Sequence, residues 1–130
     1  YYESFFNKNV NFIFPNEKKM ISYQTIYDSE IILTLDSSLG IEAYGIDKKV
    51  LFANLTCCDD YKINVHNICY MAENNFNLFK QKIEFLMNLD NKKYKKLIYN
   101  TKKALISYKV GKIFSHEFII KKINDVLKSA

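Results

Sequence analysis

Arginine is absent from this chain, and all 19 of its basic residues are lysine. A planar guanidinium is what reads a guanine edge bidentately, so its absence argues against base-specific recognition, and no specific nucleic-acid partner is expected. Glycine and proline are scarce, at three and one residues. No Walker loop can be built, because no Gly-Lys-Ser/Thr follows Gly40 or Gly45, and no Gly-x-Gly-x-x-Gly occurs. Low-complexity linkers and internal repeats are missing too, which leaves one domain, 1–130. Three cysteines, two of them adjacent, make no disulfide framework and fit a reduced intracellular setting. No apolar run approaches the roughly 18 residues of a membrane span. The opening Tyr1-Tyr2-Glu3-Ser4 lacks the order of a secretory signal. It also lacks an initiator Met and reads as a processed product or a piece of something longer.

What is present is core-forming. The chain is 48% hydrophobic and carries 16 Ile, 10 Phe and 10 Tyr, far above what disordered chains hold. Lysine, isoleucine and asparagine are all over-represented, the signature of an AT-rich genome, so surface identities carry less meaning than usual. Charge is uneven: residues 80–130 hold 13 Lys against four acids, a net +9, and residues 1–79 hold six Lys against ten acids, a net −4. A basic half invites a polyanion or an anionic membrane surface, although lysines coating the outer faces of helices explain it as well.

Asn9 to Phe14 alternates polar and apolar residues up to Pro15 and predicts a strand. Residues 18–28 show helical spacing through Met20, Ile21, Tyr23, Ile26 and Tyr27. Glu30 to Leu35 is a continuous apolar run, the pattern of a strand covered on both faces. Asp36-Ser37-Ser38 then opens a short helix to about Gly45, and Lys49 to Asn54 is a second buried strand. After a polar loop at 55–66, Asn67 to Met71 suggests a third or edge strand. From Asn74 the pattern turns helical: Phe76, Phe79, Ile83, Leu86 and Met87 share one stripe, and a helix over 91–109 puts Tyr94, Leu97, Ile98, Thr101, Leu105 and Tyr108 on one side. A last helix spans about Ser115 to Leu127. The expected fold is α/β: a Rossmann-like parallel sheet (1–72, the βα core) with a helical C-terminal tail (73–130).

The turn between the two apolar strands is the candidate site. In open parallel sheets ligands bind at the carboxyl ends of the strands. The amides of Ser38, Leu39 and Gly40 would meet an anion with the helix dipole behind them. Gly40 would let a phosphate approach the backbone, and the Ser37 and Ser38 hydroxyls could donate to it. Glu42, a turn further on, could accept from the two hydroxyls of a ribose. Each feature has a plainer explanation: an N-capping serine, and a first-turn acid favoured by the dipole. A capping box does not explain Glu42, since three residues after Ser38 stands Ile41.

The stretch from Ser22 to Asn54, SYQTIYDSEIILTLDSSLGIEAYGIDKKVLFAN, resembles the C-terminal domain of GT-B glycosyltransferases of bacterial capsule and lipopolysaccharide biosynthesis, where a Ser-Ser/Thr-x-Gly-x-Glu-Ala turn recurs. The resemblance implies half of a GT-B architecture that binds a nucleotide-sugar. Ser37, Ser38 and Gly40, with the Leu39 amide, would hold the donor phosphate, and Glu42 the ribose. It implies no cofactor beyond the donor substrate, a separate N-terminal acceptor domain as partner, and cytoplasmic work at the inner membrane's anionic face. Two features depart from the family: Thr34 stands where a Glu-x7-Glu pattern would put its first Glu, and no His-Pro pair occurs. No catalytic residue is named. Nucleotide-sugar epimerases and CDP-glycerol-type transferases share a related turn and are the competing enzymes; a non-enzymatic α/β interaction module with a polybasic helical face is the competing binding protein.

Cys57, Cys58, Asp59, Asp60, His66 and Cys69 crowd one stretch, but adjacent cysteines lack the spacer of zinc sites, and no metal is expected. The 55–66 loop reads as surface or as a donor-contacting loop, and His66 and His116 as solvated.

Overall fold

A computed structural model of the chain describes residues 21–106. The strand expected at 9–14, the last helix and His116 lie outside the described residues. Helix α1 (Ile21–Asp28) leads into strand β1 (Ile31–Thr34), helix α2 (Ser38–Gly45) and strand β2 (Lys49–Ala53). Single 3-10 turns at Asp59–Tyr61 and Asn67–Cys69 precede a short strand β3 (Tyr70–Met71), and helices α3 (Phe76–Asn88) and α4 (Asn91–Leu105) follow. The strands form a parallel sheet in the order β1-β2-β3, with Ile31 opposite Lys49 and Phe52 opposite Tyr70. The α/β class and the parallel open sheet agree with the sequence reading.

Alternation along the strands assigns each helix to a face. Ile32, Thr34, Val50 and Phe52 point to α2, where Tyr44 meets Phe52 edge-to-face at 6.2 Å. Ile31, Leu33, Lys49, Leu51 and Ala53 point to α3, and the Lys49 ammonium donates to the Met87 carbonyl at its end. With a helix on each face, all of β2 is buried, as its unbroken KVLFA pattern requires. β1 departs from expectation: Leu33 is 53% exposed. α3 packs over β2 and leaves the outer part of that face open at β1.

Helix α4 lies across the N-terminal edge of the sheet. Its buried Tyr94 donates from its hydroxyl to the Lys48 carbonyl at 2.8 Å and accepts from the Val50 amide. Thr101 bonds the Tyr44 hydroxyl at 2.6 Å, and Lys102 and Lys95 pair with Asp47 in the α2–β2 turn. Lys48 donates to the Tyr27 and Ser29 carbonyls at the end of α1. Buried Tyr94 and Ile98 confirm the expected stripe on α4, whereas Leu97 is exposed. On α3 only Leu86 is fully buried, and Phe76 and Met87 face outward.

Candidate functional site

The opposite, C-terminal edge of the sheet is built differently. Thr34 ends β1, and three residues on Ser37 takes up an extended backbone and caps α2, its hydroxyl oxygen accepting from the Leu39 amide at 3.2 Å. The Ser37 amide donates to the Thr34 hydroxyl at 3.4 Å, which ties the turn to the strand end. The Ser37 carbonyl accepts from Ile41. That leaves the Ser38 and Gly40 amides, in the first turn of the helix, without a carbonyl partner among the described residues. Ser37, Ser38, Leu39 and Gly40 thus converge on one helix start at the sheet edge. Asp36 is exposed one residue ahead of it.

Gly40 has a packing duty that the sequence did not reveal. It is buried, and a Cβ there would stand 2.6 Å from Thr34 Cγ2 and 3.3 Å from Phe52 Cε1. Its bare Cα is what lets α2 lie directly on β1. Glu42 is exposed on the outer side of α2, where its Oε2 accepts from the Tyr23 hydroxyl of α1 at 2.8 Å. That bond raises the Tyr23 pKa, because removing the phenolic proton would break it and set two negative charges together. The other carboxylate oxygen of Glu42 has no partner among the described residues.

Beside the helix start lies a cavity of about 400 Å³, a feature that motif reading missed. Its floor is Leu33, Leu35, Ala53 and Leu55, from the ends of β1 and β2. The Phe76 and Phe79 rings of α3, stacked at 6.4 Å and 28°, form one wall. Thr34, Asn74 and Asn75 complete its lining. Asn75 caps α3 with its Oδ1, which accepts from the Asn77 and Leu78 amides. The signal in the sequence was the apolar Phe76 at the start of α3, but its solvent exposure of 75% could not be read from helical spacing.

The cysteine loop is held by its own hydrogen bonds. Cys57 sits at φ 57° and donates to the Ala72 carbonyl, and the Asn54 side chain donates to the Cys58 carbonyl at 2.7 Å. Among the described residues, no group of three or more His, Cys, Asp or Glu is placed to hold a metal ion. His66 is half-buried rather than fully solvated: its Nδ1 accepts from the Ile68 amide and caps the second 3-10 turn. Cys69 is buried, and desolvation pushes its thiol from 9.0 up to about 11. Among the described residues, no helix is long and apolar enough to cross a membrane.

Fold and edge together define a parallel α/β unit with a helix start and a cavity side by side at the carboxyl ends of its strands. Comparison with protein families, curated proteins and solved structures returns no match to this chain.

Proposed function

We propose that the chain is the donor-binding half of a GT-B-type glycosyltransferase, which transfers a sugar from a nucleotide-sugar to a surface polysaccharide or lipopolysaccharide acceptor. The observation that carries the reading is the α2 start at the carboxyl edge of a parallel sheet, where the Ser38 and Gly40 amides have no carbonyl partner among the described residues and a ligand-sized cavity lies alongside. In this role those amides, the α2 dipole and the Ser37 and Ser38 hydroxyls take the donor phosphate. They stabilise the charge that grows on it as the glycosyl bond breaks. Glu42 keeps Tyr23 on one oxygen and accepts a ribose hydroxyl on the other. The acceptor, and the base that activates it, belong to a separate domain.

Exposed Lys92, Lys93, Lys96 and Lys103 extend the proposal to the anionic face of the inner membrane. Lys95 and Lys102 do not count toward that contact, because Asp47 holds them.

The test is Ser37→Asp. Aspartate caps a helix as well as serine does, so stability stays within about 0.5 kcal/mol, but its charge stands where the phosphate would bind. Titration of the labelled chain with CMP, UDP, GDP and dTDP at millimolar concentration should move the amide signals of residues 37–42, and Ser37→Asp should abolish the shifts. A folded chain that responds to none of the nucleotides overturns the reading.

A further inference from the structure

We infer that the cavity beside the α2 start is the subsite for the group being transferred, and that it selects an uncharged sugar that presents an apolar face or a methyl-bearing substituent. The inference rests on the donor-binding reading above and adds to it the class of sugar.

Position comes first. The cavity opens on the α3 face of the sheet, between the ends of β1 and β2 and the Phe76 and Phe79 rings. Glu42 lies on α2, which covers the other face, and is turned toward Tyr23 of α1. A donor whose phosphate rests on the Ser38 and Gly40 amides and whose ribose reaches Glu42 therefore points its other end across the sheet edge. There it meets Thr34, which bonds the turn through its hydroxyl and also lines the cavity.

Charge comes next. Among the described residues, no ionisable side chain lines the cavity. Three charged residues adjoin its lining in the chain: Asp36 after Leu35, Glu73 before Asn74, and Lys80 after Phe79, whose ammonium pairs with Glu84 at 3.8 Å. A carboxylate placed inside would lose hydration and find no cation in the described lining to replace it. Sialic and uronic acid donors are disfavoured on that count.

The lining chemistry completes the argument. Leu33 and Leu55 are 53% and 48% exposed, an unsatisfied apolar floor that a methyl group or the C–H face of a pyranose would cover. The stacked phenyl rings present a flat wall to the same face. Hydroxyls of the sugar find donors at the rim. Asn75 has committed its Oδ1 to the α3 amides, which leaves its Nδ2 hydrogens to give. Asn74 makes no side-chain hydrogen bond among the described residues and has its amide free to give.

The experiment uses the whole chain, isotopically labelled, and three glycosides at tens of millimolar: methyl N-acetylglucosaminide, methyl fucoside and methyl glucuronide. The acetamido and deoxy sugars should shift the Ala53 and Phe79 signals, and the glucuronide should not. Phe76→Ala removes an exposed ring without touching the core and should weaken both responses several-fold; Phe76→Trp should restore them. A glucuronide response equal to the neutral ones overturns the charge selection. Silence from all three, or a response indifferent to Phe76→Ala, overturns the subsite. Sugar-free nucleotides report on residues 37–42 separately. A nucleotide response without a glycoside response removes the subsite alone, and the reverse pattern removes the donor reading and leaves a sugar-binding cavity with no role in transfer.

Discussion

At Gly40 two explanations for one residue can be separated. Phosphate approach and helix packing both ask for glycine, and the sequence alone pointed to the first. The second depends on Thr34, six residues earlier but on another element, whose Cγ2 would lie 2.6 Å from a new Cβ. Gly40→Ala should therefore destabilise the fold by about 1–3 kcal/mol, the usual cost of overpacking. In Thr34→Ser the offending methyl is gone while the hydroxyl can still serve the turn. The double variant should recover at least half of that loss in chemical denaturation, and additive losses would refute the contact as the reason for the glycine. Ser37 was legible as a cap because the capping bond is local. Tyr23 as partner of Glu42 was not, since they are 19 positions apart and only packing of α1 beside α2 joins them.

The helices and strands themselves were largely legible, because apolar spacing follows the geometry that buries it. The NICYM segment was the weakest: only Tyr70 and Met71 pair as a strand, and Asn67–Cys69 coils into a 3-10 turn capped by His66. Less legible still was the work done by lysines. Composition suggested surface coating, yet Lys48, Lys49 and Lys82 donate to backbone carbonyls, and Lys95 and Lys102 fix α4 to Asp47. Asp47 holds a left-handed φ of 66°, which asparagine tolerates. Asp47→Asn should thus keep the turn and lose the ion pairs. At low salt the denaturation midpoint should fall by the equivalent of about 1 kcal/mol, since these side chains are partly exposed, and the difference should shrink in high salt. A salt-independent loss would mean that the turn, and not the charge, had been damaged. Lys95→Ala should cost less than Lys102→Ala, because Lys95 is more than twice as exposed.

For the molecule as a whole, the buried acids set the response to pH. Burial raises the pKa of Tyr44, Tyr94 and Cys69, the last from 9.0 to about 11. An unfolded chain releases these protons at lower pH than the folded one, so stability is complete below about pH 9 and declines as pH rises to about 11 and beyond. The melting temperature should be flat from neutrality to pH 9 and then fall. In Cys69→Ser, which has no thiol to titrate, the decline should begin nearer pH 10, where the tyrosines take over. An unchanged onset would remove Cys69 from the account.

The two edges of the sheet have unequal freedom. At the N-terminal edge, Lys48 and Lys49 hold the ends of helices on both faces, and α4 is laid across the strand starts. At the other edge a three-residue turn and the 72–75 segment border the cavity with few bonds between them. Arrival of a ligand at that edge has only these short stretches to order. Among the described residues, the entropy that a bound ligand would cost falls on them, and the braced end has little motion left to lose.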